Sequence, residues 1–207
     1  MKIEIEATAD SQFGTNSYLV QDMESGDAAV IDANLEPQLM VDLVARRRAN
    51  VKAILLTHTD VDHIAGLARL REAFADPPVA VHAAELVNVT EAVPLRGRFR
   101  FEIPKVPDAT ALEEGDVYRA GVLEFAVLHT PGHSPGGVTF LIGNALFTGD
   151  ALFAGSIGRT DFENSDSAAL LAAIRDKLMT QPDEYLVLSG HGPVSTIGQE
   201  RRYNPFL

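Results

Sequence analysis

Apolar residues along this chain recur in two spacings. Alternating or continuous apolar runs at residues 3–6, 17–21, 28–32, 51–56, 79–82, 123–128, 138–142, 145–147 and 185–188 read as nine strands. Residues 36–49, 64–75, 83–89 and 167–179 instead repeat apolar positions at helical spacing, with Ser165 or Asp166 placed to cap the last helix. The order is strands, helix, strand, helix, strand, helix and strands again, which predicts an α/β protein with helices covering its sheets. No fixed-period repeat, low-complexity tract or linker interrupts the pattern. Residues 94–108 look like an irregular excursion too short to divide the chain, so residues 1–207 are expected to form a single domain.

The polar residues that end these runs carry the chemistry. His58-Thr-Asp60-Val-Asp62-His63 follows the run at 51–56 and places four ligand-type side chains within six residues. Gly149-Asp150 and Gly190-His191 end two later runs, and His133 lies in a turn rich in Pro and Gly. In a strand-to-helix loop, His58 and Asp60 would share one side, and Asp62 and His63 the other. Two neighbouring metal positions follow: His58, Asp60 and His133 can hold one ion, Asp62, His63 and His191 a second, and Asp150 can bridge them. Two ions about 3.5–4 Å apart activate a shared water and polarise a carbonyl, so no Ser or Cys nucleophile is needed.

Composition narrows this further. With no cysteine, any metal must be held by imidazole and carboxylate, a donor set that suits zinc, iron or manganese. A formal charge of −12 argues against a nucleic-acid partner, because phosphate binding relies on Lys and Arg. No run of 20 apolar residues offers a membrane span, and the alternating N-terminus lacks the apolar core of a signal peptide, so a cytoplasmic location is expected. The basic residues Arg96, Arg98, Arg100 and Lys105 read as a solvated surface in preference to an anion-binding loop.

These residues resemble the metallo-β-lactamase superfamily, whose signature is H-x-H-x-D-H after a strand, then a distant His, an Asp after Gly and a final Gly-His. The match runs through Asp32, residues 58–63, the His129-Thr-Pro-Gly-His133 turn, Thr148-Gly-Asp150 and Ser189-Gly-His191-Gly-Pro. Gly158-Arg159-Thr-Asp161-Phe162 and the C-terminal Arg202-Tyr-Asn-Pro-Phe-Leu207 look like the glyoxalase II branch, in its short bacterial form of hydroxyacylglutathione hydrolase-like proteins. The resemblance implies an αββα sandwich with metals at one edge, and hydrolysis of a small thioester by a metal-bound hydroxide. Asp62 would be both ligand and orienter of the nucleophile. The short form lacks the C-terminal helical domain that contacts glutathione in longer enzymes.

Position 60 departs from the pattern, carrying Asp where His is expected. A carboxylate is a harder donor, which moves the preference for the two divalent ions from zinc towards iron or manganese. Related persulfide dioxygenases use a single Fe(II) held by residues matching His58, His133 and Asp150, which would leave Asp60 outside the ligand set. A phosphoester or lactone hydrolase, and a metal-binding module without turnover, are further alternatives.

Overall fold

Alternation of buried side chains builds two sheets that each bury both faces. The computed structural model describes residues 2–96 and 105–207, so Arg98 and Arg100 and part of the 94–108 excursion lie outside the described residues. The first half contributes β1 (Ile3–Ala9), β2 (Asn16–Asp22), β3 (Asp27–Ile31), α1 (Pro37–Arg47), β4 (Asn50–Leu55), α2 (Val61–Ile64), α3 (Leu67–Ala73) and β5 (Val79–His82). A 3₁₀ turn (Ala83–Glu85) then runs into α4 (Leu86–Thr90). Next come β6 (Thr110–Leu112), β7 (Val117–Ala120), β8 (Leu123–His129), β9 (Val138–Ile142), β10 (Ala145–Gly149) and the small hairpin β11 (Leu152–Phe153) and β12 (Ser156–Ile157). The chain finishes with α5 (Ser167–Ala173), which continues as a π-helical turn (Ile174–Leu178), then β13 (Leu186–Ser189), β14 (Ser195–Thr196) and α6 (Ile197–Tyr203).

One sheet has the order β1-β2-β3-β4-β5-β6 and the other β14-β13-β10-β9-β8-β7. Their inner faces meet through Val20, Ile31 and Leu55 on one side and Phe125, Phe140 and Phe147 on the other. The alternate residues of the first sheet, Leu19, Val30 and Ile54 among them, pack on Met40, Leu43, Leu67 and Leu70 of α1 and α3. Leu146 and Val187 do the same on the outer face of the second sheet, against Leu170, Ile174, Leu178 and Ile197. Three apolar layers between four structural layers make this an αββα sandwich, as the resemblance implies.

Parallel pairing gathers the chemistry at one edge. β3 and β4 run parallel with Ile31 opposite Leu55, so Asp32 and the segment after β4 leave the first sheet side by side. β10 and β13 are also parallel, with Gly149 opposite Ser189, so Asp150 and His191 leave the second sheet together. A backbone bond of 2.8 Å from Val138 N–H to the Thr57 carbonyl ties the two sheets at this edge. Among the described residues, no helix is long and apolar enough to cross a membrane.

Candidate metal centre

The helix after β4 starts at Val61, earlier than its apolar periodicity predicts, so Asp62 and His63 stand on its first turn and not in the preceding loop. Asp60 occupies the N-cap position but makes no capping bond, because its carboxylate is engaged elsewhere. His58 and His63 are buried, with ring centroids 4.1 Å apart. The turn after β8 delivers His133, and Gly132 in that turn has φ of +129°, where a Cβ would also overlap Leu170. Gly190 is required for close approach, since a Cβ there would overlap Asp150 Oδ1 and the His63 ring.

All seven predicted ligands converge, in the grouping the spacing anticipates. Donor atoms of His58, Asp60 and His133 lie within 4.8 Å of one another, as do those of Asp62, His63 and His191, while Asp150 joins His58 and His63 in a third such set. Asp150 Oδ1 is 3.3 Å from His63 Nε2, and its Oδ2 is 3.5 Å from His191 Nε2 and 3.7 Å from His133 Nε2. Asp62 Oδ2 is 3.4 Å from His191 Nε2 and 3.6 Å from His63 Nε2.

Each imidazole is oriented the same way. Nδ1 of His58 faces Thr57 Oγ1 at 3.0 Å, that of His63 faces Asp32 Oδ2 at 2.8 Å, that of His133 the Arg159 carbonyl at 2.8 Å, and that of His191 the Phe13 carbonyl at 3.2 Å. Outer oxygens thus hold Nδ1 and turn Nε2 towards the common centre, the usual support of a metal-ligating His. His58 Nε2, His63 Nε2 and Asp150 Oδ1 are buried and make no hydrogen bond among the described residues. Unpaired buried polar atoms of this kind are costly in a folded chain, and a cation at this point would satisfy them once the imidazoles are neutral.

Burial, with the charge of His63 added, pushes the His58 imidazole down, which keeps it neutral and ready to donate a lone pair. Burial also works against charge at His63 and His191, but the neighbouring carboxylates outweigh it. Asp62, Asp150 and Asp32 hold His63 well above its ordinary value, and Asp150 and Asp62 raise His191 to about 9. The same pairs hold Asp150 well below the usual carboxylate range against its own burial. Without metal, both imidazoles therefore carry a second proton at pH 7. Their ion pairs stabilise the metal-free fold fully below the unfolded value of about 6.5; the contribution of His191 is lost as pH rises through about 9, and that of His63 as pH rises through its own raised value. Metal uptake at pH 7 is thus expected to release about one to two protons per chain, with the share of His191 disappearing as pH rises through about 9. Calorimetric titration in two buffers of different ionisation enthalpy measures the number.

Several supporting residues carry no sequence signal. Glu85 is fully buried, and its carboxylate accepts from Thr59 N–H at 2.6 Å, Thr59 Oγ1 at 2.7 Å and Gly136 N–H at 2.7 Å. It therefore ties the loop of His58 and Asp60 to the turn of His133. Replacing Glu85 with Ala would leave three buried donors unpaired, and a loss of roughly 3 kcal/mol or more is expected in urea unfolding. Thr15 Oγ1 donates to Asp62 Oδ2 at 2.7 Å, and Asn16 and Tyr18 both donate to the Ser189 carbonyl two residues before His191. Nothing in the alternation of residues 14–18 marks them as parts of a site.

Other residues singled out by sequence fall elsewhere. Arg159 and Asp161 form an exposed bidentate pair, with Arg159 holding the Asp161 carboxyl at about 2. His129 ends β8 and stacks on His82 at 3.9 Å, away from the cluster of Nε2 atoms. Lys105 pairs with Glu91 on the surface, in line with the solvated reading. Arg96 does not: its side chain is 10% exposed and its Nε donates to Asp60 Oδ1 at 2.6 Å. An unscreened carboxylate so close outweighs hydration of the guanidinium and turns it inward.

A two-sheet sandwich with imidazoles and carboxylates converging at the strand ends defines a metal-binding hydrolase class. The chain belongs to the metallo-β-lactamase superfamily, whose family model matches residues 10–191. It is 35% identical to hydroxyacylglutathione hydrolase GloC of Haemophilus influenzae, over 98% of this chain and 97% of that protein. Among solved structures it is similar to TTHA1623 in a di-iron-bound form, with 39% identity, a TM-score of 0.84 and coverage of 98% and 100%. BLEG-1, a B3 metallo-β-lactamase, superposes with a TM-score of 0.88 at 34% identity, covering 99% of each chain.

Proposed function

We propose that this protein hydrolyses small thioesters at a centre holding two divalent ions. His58, Asp60 and His133 would hold one ion, Asp62, His63 and His191 the other, and Asp150 both. The ions, when bound, supply an activated water and polarise the substrate carbonyl.

The observation that carries the thioester reading is that, with His133 and His191 taken up as ligands, the described lining offers no hydroxyl, thiol or amine to protonate a leaving group. A cavity of about 400 Å³ opens over the cluster, and its described lining contains no Ser, Thr, Cys, Lys or Tyr. Its carboxyls are all ionised. Burial pushes Asp60 and Asp62 upward, yet His133, His58 and Arg96 bring Asp60 to about 2, and His63, His191 and Thr15 bring Asp62 well below the usual range. A thiolate, whose conjugate acid has a pKa of about 8.5, departs without a proton, whereas an alkoxide or an amide nitrogen needs one. Asp62, ionised and fixed by Thr15, is placed to orient the attacking water. Phe13, Phe153, Ile157 and Phe162 give the cavity apolar walls for an acyl group or carrier. The likeness to a hydroxyacylglutathione hydrolase supports the same class.

The test pairs glutathione and coenzyme A thioesters with matched oxygen esters, on protein loaded with manganese, iron or zinc. A preference for the thioester of about 100-fold or more is expected, the worth of a missing general acid. Equal rates, or faster cleavage of an ester, lactone or phosphoester, would overturn the reading. One iron per chain with oxygen uptake on a persulfide would replace it with dioxygenase chemistry.

A further inference from the structure

The Arg96 guanidinium is held on every side. Its Nε donates to Asp60 Oδ1 at 2.6 Å, Nη1 to Asn164 Oδ1 at 3.0 Å and Nη2 to the His133 carbonyl at 2.8 Å. Its central carbon stands 3.7 Å from the centroid of the Phe162 ring, and Nη2 is 3.5 Å from His133 Nε2. A fixed positive charge therefore sits beside one ligand group of the centre. Asp60 meets it with Oδ1 and turns Oδ2 inward, 2.9 Å from His133 Nε2 and 3.7 Å from His58 Nε2.

The other ligand group is built differently. Asp62 accepts a hydrogen bond from the neutral Thr15 hydroxyl, and no described Lys or Arg pairs with it. Counted with every imidazole neutral, as a ligand must be, Asp60 at −1 and Arg96 at +1 sum to zero, against −1 from Asp62. Asp60 and Arg96 are 13% and 10% exposed, so water screens little of this difference.

We propose that Arg96 is a resident cation that makes the two metal positions unequal. It weakens the position of His58, Asp60 and His133, so that, in affinities corrected for the protons released by His63 and His191, the position of Asp62, His63 and His191 fills first and the other only at higher metal concentration. Asp60 alone, with a full negative charge in place of a neutral imidazole, would bind a cation more tightly than the usual pattern. Paired with Arg96, it gives that charge back and offers one oxygen. The inference rests on the two-ion reading above and concerns affinity, not turnover.

Metal-free protein titrated with Mn(II), followed by calorimetry and by metal content after passage over a chelating resin, tests this directly. The wild type is expected to bind two ions with affinities at least about tenfold apart and to keep one on the resin. Arg96→Gln should tighten the weaker ion by about tenfold or more and leave the tighter one unchanged, while Arg96→Lys, which keeps the charge, should behave as the wild type. Two equal affinities in the wild type, a looser second ion in Arg96→Gln, or the same tightening in Arg96→Lys would overturn the proposal and leave the two-ion reading standing. No uptake in any of the proteins would remove that reading and this inference together. Should Arg96→Gln not fold, His58→Ala and His191→Ala decide: loss of the weak ion in the first and the tight ion in the second supports the proposal, and the reverse overturns it.

Discussion

Replacing Asp150 with Asn is expected to lower thioester hydrolysis by about 10³-fold or more, the several kcal/mol that metal assistance contributes to such a reaction. Among the described residues, Asp150 is the carboxylate that faces both ligand groups, with Oδ1 towards His63 and Oδ2 towards His133 and His191. Asparagine keeps the shape but converts one oxygen into an NH₂ that cannot ligate and points hydrogens at the centre. It also removes the charge that helps hold protons on His63 and His191 without metal and that would attract an ion in their place. Metal content should fall below that of the wild type, and kcat should fall far more than KM rises. Steady-state kinetics with matched metal analysis measures both. If two ions were retained and the rate stayed within about tenfold, Asp150 would not lie between the metals.

The candidate ligands were legible because six of them follow apolar runs closely and His133 lies in a turn rich in Pro and Gly, places where a polar side chain must either find a partner or be solvated. Strands β2, β3, β4, β9 and β13 were legible because burial of most positions leaves apolar runs, and β8 because buried Leu123, Phe125 and Val127 alternate with less buried neighbours. β6 and β7 were not, because they are three and four residues long and half exposed, so their alternation is too brief to register. α6 escaped because Gly198 interrupts its first turn and charged residues fill its exposed side. The start of α2 was misplaced because Asp60, an ideal capping residue by type, gives its carboxylate to Arg96 and His133. Arg96 itself could not be found from pattern. A basic residue after Pro94 in a loop reads as solvated unless a buried carboxylate waits for it, and that carboxylate is 36 residues away. Glu85 was hidden likewise, since its partners Thr59 and Gly136 lie 26 and 51 residues off.

Asp32→Asn should weaken metal binding by about 10–100-fold without touching a ligand. Asp32 has φ of +60°, a conformation that Asp and Asn both tolerate, so the backbone can persist. Its Oδ1 accepts from Thr57 N–H at 2.7 Å, and its Oδ2 from Thr57 Oγ1 at 2.7 Å and His63 Nδ1 at 2.8 Å. An amide oxygen can replace one of these acceptors. The NH₂ then meets His63 Nδ1, which is a donor, and the pair is satisfied only if Nδ1 gives up its proton and the imidazole keeps the one on Nε2. Nε2 is the atom that faces Asp62 and Asp150, so the proton stays where an ion would be held. Flipping the amide instead sets NH₂ against Thr57 N–H and leaves a buried donor unpaired, at about 1–3 kcal/mol of folding stability. Either way one of two measurements moves, the metal affinity by calorimetry or the melting of the metal-free protein. If both matched the wild type, His63 would not depend on Asp32 for its orientation, and the outer oxygens of the four imidazoles would count as packing without a role in the centre.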